Sequence, residues 1–218
     1  MTRRIIMAGI LSITGSILLV GCRAGGTAGG DPASSEDAIV SEAAGRVAEL
    51  NHGYAILLQV LNDQARASQI LAVKSASPGL RTLLKRISAA AQAQVDEIDR
   101  MLSLAPPLAP MNTALPSIEV AARDRIEEEQ TSQLLTTGGD AFAFDVLLAQ
   151  ARTTTYASAL AMSLGNRDTN VKRRDVCKAI ARDWNMLGET VRSQLRAIGD
   201  PSGTAKKTRP VVPGTPSP

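Results

Sequence analysis

Aromatic residues are scarce: the 218 residues include one Trp, two Tyr and two Phe. Sheets draw heavily on aromatic and β-branched side chains, whereas an Ala- and Leu-rich chain suits close-packed helices. Histidine occurs once, at His52, and cysteine twice, at Cys22 and Cys177. Ligand counts this low argue against a metal centre built from one chain. A strong charge bias is missing too. The 24 basic and 21 acidic residues leave a net of +3, so there is no general electrostatic case for nucleic acid as a partner. Nor does the chain contain Gly-x-Gly-x-x-Gly, a phosphate loop, His-Glu-x-x-His or Gly-x-Ser-x-Gly, the short patterns that most directly announce nucleotide, zinc or serine chemistry.

What is present begins at the N-terminus. Met1-Thr2-Arg3-Arg4 is followed by an apolar run, Ile5 to Val20, diluted by Gly9, Ser12, Thr14, Gly15 and Ser16. A basic start followed by a short apolar stretch is the layout of a secretory signal, and the run is too short and too interrupted for a permanent spanning helix. It closes on Leu19-Val20-Gly21-Cys22, which resembles the bacterial lipobox. That resemblance implies a diacylglycerol with acyl chains such as palmitate on the Cys22 thiol, cleavage before Cys22, and stable attachment to membrane lipid, because two or more chains hold where one does not. Arg23, which is not the Asp of inner-membrane retention, implies the periplasmic face of the outer membrane.

Removing residues 1–21 would take away Arg3 and Arg4 and leave 22 basic against 21 acidic residues in 197. That length suits one domain with tails. Residues 22–35, rich in Gly and Ser, read as a flexible tether, and 199–218, with Lys206, Lys207 and Arg209 among its prolines, as a disordered tail. With Cys22 acylated, Cys177 has no partner for an intrachain disulfide.

Between the tails, over 36–198, the apolar period is helical. From Glu36 to Lys74 the residues Ala43, Val47, Leu50, Tyr54, Leu57 and Leu61 alternate four and three apart, a heptad seam on a long helix. Ser77-Pro78 supplies an N-cap and a first-turn proline for the next, which carries Leu80, Leu84, Ile87, Ala91, Gln94 and Ile98. Pro106, Pro107, Pro110 and Pro116 force an irregular crossing, with Ser117 opening a more polar helix to Leu135. Asp140 is the expected cap of a fourth helix with Phe144, Leu147, Leu148, Ala151, Ser158 and Met162 inward, stopped by Gly165-Asn166. A last helix over 170–198 presents Val176, Ile180, Trp184, Leu187, Val191, Leu195 and Ile198. The expectation is an all-α, antiparallel four-helix bundle with a long N-terminal helix.

Gln69-Ile70-Leu71-Ala72, Leu83-Leu84-Lys85-Arg86-Ile87, and Gly138-Gly139-Asp140 leading to Phe144-Asp145 resemble, over Leu61 to Leu195, a family of bacterial envelope proteins with a ferritin-like four-helix domain of unknown function. The resemblance implies ligands at Gln69, Ala90-Ala91, Thr155 and Asp183-Trp184. Of these only Asp183 retains an ionisable group of a suitable kind, so the metal chemistry of relatives does not carry over.

Glu49-Leu50-Asn51-His52 is the one literal metal motif, since Glu-x-x-His places both ligands on one helix face. It occurs once, and His52 lies off the seam. A metal site therefore requires a second copy of the chain, and Glu49 and His52 stand as secondary candidates. Glu127-Glu128-Glu129 with Asp124, and Asp96, Glu97 and Asp99, read as solvated faces. Cys177 reads as a small packed or half-exposed thiol; redox sensitivity is the lesser reading, with Arg173, Arg174 and Lys178 nearby to lower its pKa, and no histidine lies on its helix. Trp184 and Tyr54 read as core anchors, and Gln94 as a seam amide that needs partners. The function expected is a non-enzymatic, cofactor-free, lipid-anchored helical bundle of the cell envelope. Its partners would be membrane lipid through Cys22 and an envelope protein or a second copy. The alternative is a ferritin-like metal or redox protein completed by dimerisation.

Overall fold

The computed structural model describes residues 35–110 and 117–199, without the side chains of 35–40, 117, 119, 120, 123 and 127. The proposed signal 1–21, Cys22, nearly all of the tether, Pro116 and the tail beyond Gly199 lie outside the described residues. Within them every regular element is helical: α1 Ser35–Ala65, a 3-10 turn Ala67–Ala72, α2 Pro78–Met101, α3 Ser117–Thr136, α4 Gly139–Arg167 and α5 Val171–Gly199.

The seam of α1 buries Leu50, Tyr54, Leu57 and Leu61, while Ala43 is exposed and Val47 only half-buried. The helix expected to run on to Lys74 ends nine residues earlier, at Ala65. Geometry explains the break. At about 100° per residue, Ile70 would stand on the face opposite Leu61 in a continued α-helix. The 3-10 turn brings Ala67 and Ile70 inward instead, and Ser68 N donates to Ser88 Oγ on α2 at 2.9 Å. Ser77 caps α2 through Oγ to Leu80 N at 3.3 Å, with Pro78 in the first turn.

α1 packs on α2 and on α4, α4 packs along α5, and α2 touches α5. The pairs alternate in direction. Gln94 meets Trp184 while Gly79 meets Gln194, so α2 and α5 are antiparallel; Ser158 meets Ala181 and Gly165 meets Cys177, so α4 and α5 are too. The common core runs through Leu57, Ile87, Ile98, Leu147 and Trp184, all fully buried. Each such side chain contributes about 1.5–3 kcal/mol of transfer free energy.

α3 stands apart. It is held at its C-terminal end, where Leu134 is buried and Lys74 Nζ donates to the carbonyls of Leu135 (2.6 Å) and Thr137 (2.8 Å), a cation satisfying the last turn of a helix. At its other end Ile118 is exposed.

Three expectations for α4 are corrected. Its N-cap is Gly138 rather than Asp140, which lies in the first turn, and its buried face is rotated from the one read in the sequence. Phe144 and Met162 are exposed, and Gln150, Thr153, Thr154 and Ala157 point inward. A stripe picked by the largest apolar residues missed a core that is partly polar. Nor does Gly165 stop the helix. It is buried within α4, where a Cβ would lie 3.0 Å from Lys178 Cγ, 3.1 Å from the Arg174 carbonyl oxygen and 3.3 Å from Cys177 Cβ. This glycine allows α5 to approach, and α4 runs on to Arg167.

Candidate functional site

The densest chemistry in the described residues is where the α4–α5 turn Asp168-Thr169-Asn170 meets α1 at Tyr54 and the segment after α2. The turn is shaped by its own side chains. Asp168 Oδ1 accepts from Asn170 N at 2.8 Å, and Asn170 Oδ1 accepts from Arg173 N at 3.1 Å. Short polar side chains of this kind satisfy the free N–H groups at a helix start.

From α5, Arg173 reaches back. Its Nε donates to Asp168 Oδ2 at 2.7 Å and its Nη2 to Oδ1 at 3.1 Å, a bidentate pair whose side chains are both wholly buried. Its Nη1 donates to the carbonyls of Leu104 (2.6 Å) and Pro106 (2.9 Å), and Asn170 Nδ2 donates to that of Ala105 (2.8 Å). One guanidinium thus fixes the path of the chain after α2, which includes a cis Ala105-Pro106 bond. From α1, Tyr54 Oη donates to Asp168 Oδ2 at 2.8 Å and lies 3.2 Å from Cys177 Sγ.

Each ionisable group is held in its resting form. Burial alone raises the Asp168 carboxyl, but hydrogen bonds from Arg173, Asn170 N and Tyr54 and the guanidinium charge outweigh it, leaving Asp168 below its ordinary value and ionised. Burial first, then the neighbouring Cys177 and Asp168, push the Tyr54 phenol far above its usual range. Burial also pushes the Cys177 thiol up to about 11, with the Asp168 charge adding to the rise and Tyr54 and Arg173 opposing it. The thiolate is the nucleophile, so a thiol held at this value is inert at neutral pH. Cys177 is thus a packed thiol: Arg173 does act to lower its pKa, but burial outweighs that charge, which is shared with Asp168. The arrangement can cross-link three segments, and its one carboxylate, Asp168, is fully engaged by four donors.

Of the residues singled out in the sequence, Tyr54, Arg173 and Cys177 meet here, whereas the metal candidates do not. Glu49 is exposed and ion-paired with Arg167 at the end of α4, and His52 is half-buried one turn along α1. Among the described residues no group of three or more His, Cys, Asp or Glu could hold a metal ion. Gln69, Thr155 and Asp183, positions assigned by the family resemblance, are all exposed. Asp96 accepts from Gln92, Glu97 pairs with Arg100, and Asp124, Glu128 and Glu129 are exposed. Gln94 does find partners: Trp184 Nε1 donates to its Oε1 at 2.6 Å, and its Nε2 lies 3.5 Å from Asp183 Oδ2.

Sequence reasoning passed over Asp168 and named Arg173 only as a neighbour of Cys177. The signal present was Asp168-Thr169-Asn170, an Asx turn running into an N-cap immediately before a helical period. No protein-family model matches the chain, and no curated protein or solved structure does so either.

Proposed function

We propose that this chain is a lipid-anchored, non-catalytic bundle of the cell envelope, carrying a ferritin-like four-helix arrangement of α1, α2, α4 and α5, and acting as a structural or interaction module. The anchor is Cys22, read from Leu19-Val20-Gly21-Cys22 after a basic, apolar leader. Among the described residues no helix is long and apolar enough to cross a membrane.

The observation that carries the non-catalytic part is the satisfaction of the buried cluster. Tyr54, Asp168, Arg173 and Cys177 hydrogen-bond with one another or with backbone carbonyls, and sites that do chemistry keep at least one such group poised for a substrate. Perturbed groups that are mutually satisfied read as structural.

Intact mass of the membrane-extracted protein tests the anchor. The expected species lacks residues 1–21 and carries acyl groups on Cys22; an unprocessed N-terminus overturns it. Metal analysis of the same preparation tests the rest, since stoichiometric metal that disappears in His52→Ala would replace this reading with the dimeric metal site.

A further inference from the structure

Away from the buried cluster, the middle of the helix assembly holds a polar layer with two orphaned oxygens. Gln64 on α1 and Gln150 on α4 are each 1% exposed, and the carbonyl Oε1 of both is sealed with no hydrogen-bond partner among the described residues. Buried side-chain oxygens in native proteins are almost always satisfied, by protein or by ordered water.

The register brings the two together. α1 is antiparallel to α4, because the directions alternate from α1 to α2, α5 and α4, and Gly53 stands against Leu164. Moving the same distance along each helix, 64 less 53 and 164 less 153, sets Gln64 level with Thr153. Gln150 lies about one turn beyond, on the same inward face.

The layer is rich in acceptors, and the charge at its edge, Arg192 beside Thr154 and Thr155, is paired with Glu189. Thr153 Oγ donates to the Ala149 carbonyl at 3.1 Å, and Thr154 Oγ to that of Gln150 at 2.8 Å, so both hydroxyl hydrogens are in use and their oxygens can only accept. The carboxylate next in sequence, Asp63, is paired with Arg66. A divalent ion would find neutral oxygens alone and too little to offset its dehydration. Two sealed carbonyl oxygens about one turn apart on neighbouring helix faces call for a small neutral donor with two hydrogens.

We propose that Gln64 and Gln150 hold one internal water between α1 and α4, which donates one hydrogen to each amide oxygen. Neutral amides bridged in this way fix the relative height of two helices without a charge, and α1 is the helix that leads to the N-terminus. The competing arrangement has one amide turned, so that its NH2 group meets the other carbonyl directly with no water between.

NMR of the intact protein distinguishes them. The bridge predicts long-lived water cross-peaks, of the sign given by a slowly exchanging molecule, to the side-chain amide protons of Gln64 and Gln150. These disappear in Gln150→Leu. A direct amide pair gives no such cross-peaks in the wild-type protein, and their absence overturns the proposal. Unfolding midpoints supply a second arm. Gln64→Leu and Gln150→Leu each lower the midpoint by stranding the remaining oxygen and its water, while the double variant recovers part of the loss. Strictly additive losses also overturn it.

Discussion

Tyr54 and Asp168, separated by 114 positions in the chain, are joined by a buried hydrogen bond of 2.8 Å that fastens α1 to the α4–α5 turn. The carboxylate accepts at the same time from Arg173 and from Asn170 N, so its four bonds come from three directions. Because the guanidinium also holds the carbonyls of Leu104 and Pro106, α1, the turn and the segment after α2 depend on one ion pair.

The contribution of each partner should differ in a predictable way. Tyr54→Phe removes one of several donors to Asp168 and is expected to cost about 1–2 kcal/mol in urea unfolding, with the slope unchanged. Asp168→Ala leaves Arg173 buried without its counter-charge and should cost about 3–5 kcal/mol. Equal losses from the two would show that the pair contributes no more than the single phenol bond.

The same cluster sets how stability depends on pH. Asp168 has a folded pKa below its unfolded value of about 3.9, so its contribution is present above that value and is lost as pH falls through the folded one. The acid limb should therefore lie below about pH 4 and flatten in Asp168→Asn. Cys177 is shifted the other way. Its contribution is complete below the unfolded thiol value of about 8.5 and is lost as pH rises to about 11. Unfolding midpoints across both limbs, with Cys177→Ala as the control on the alkaline side, check the two signs.

Thiol chemistry offers a separate check on burial. Cys177 should fail to react with a thiol reagent at neutral pH in the folded protein and react fully in denaturant. Rapid labelling under native conditions would mean that α5 opens at its first turns.

Glycine replacements should split by location. At Gly165 a new Cβ would press on the backbone oxygen of Arg174, which cannot rotate away, and Gly165→Ala is expected to cost about 1–3 kcal/mol. Gly45 lies in the exposed part of α1 with nothing within 4 Å of its Cβ position, and Gly45→Ala should gain about 0.5–1 kcal/mol. Thermal unfolding of the two variants is enough to tell these apart.

Much of the architecture is legible in the sequence because it is periodic. Leu50, Tyr54, Leu57 and Leu61 announce the face of α1, Ser77-Pro78 the start of α2, and Gln94 is buried beside Trp184 as its seam position implies. What fails is whatever depends on a distant partner. Arg173 looks like a surface cation until Asp168 and the Leu104 carbonyl stand beside it, and Thr154 looks solvated until Gly188 on α5 lies against it. Gly165 reads as a stop for the same reason: its role is set by Cys177 and Lys178 on the next helix, and a single helix carries no trace of that approach.

The root of α1 has a mechanical side. Any pull on the chain ahead of residue 35 enters the fold along the axis of α1, passes a stretch of exposed helix, and first meets full burial at Leu50 and Tyr54. To yield, α1 would have to slide past α4, breaking the Tyr54–Asp168 and Glu49–Arg167 links together rather than one after the other. Bonds loaded side by side share the force, so the end of the bundle nearest the N-terminus is built as a brace.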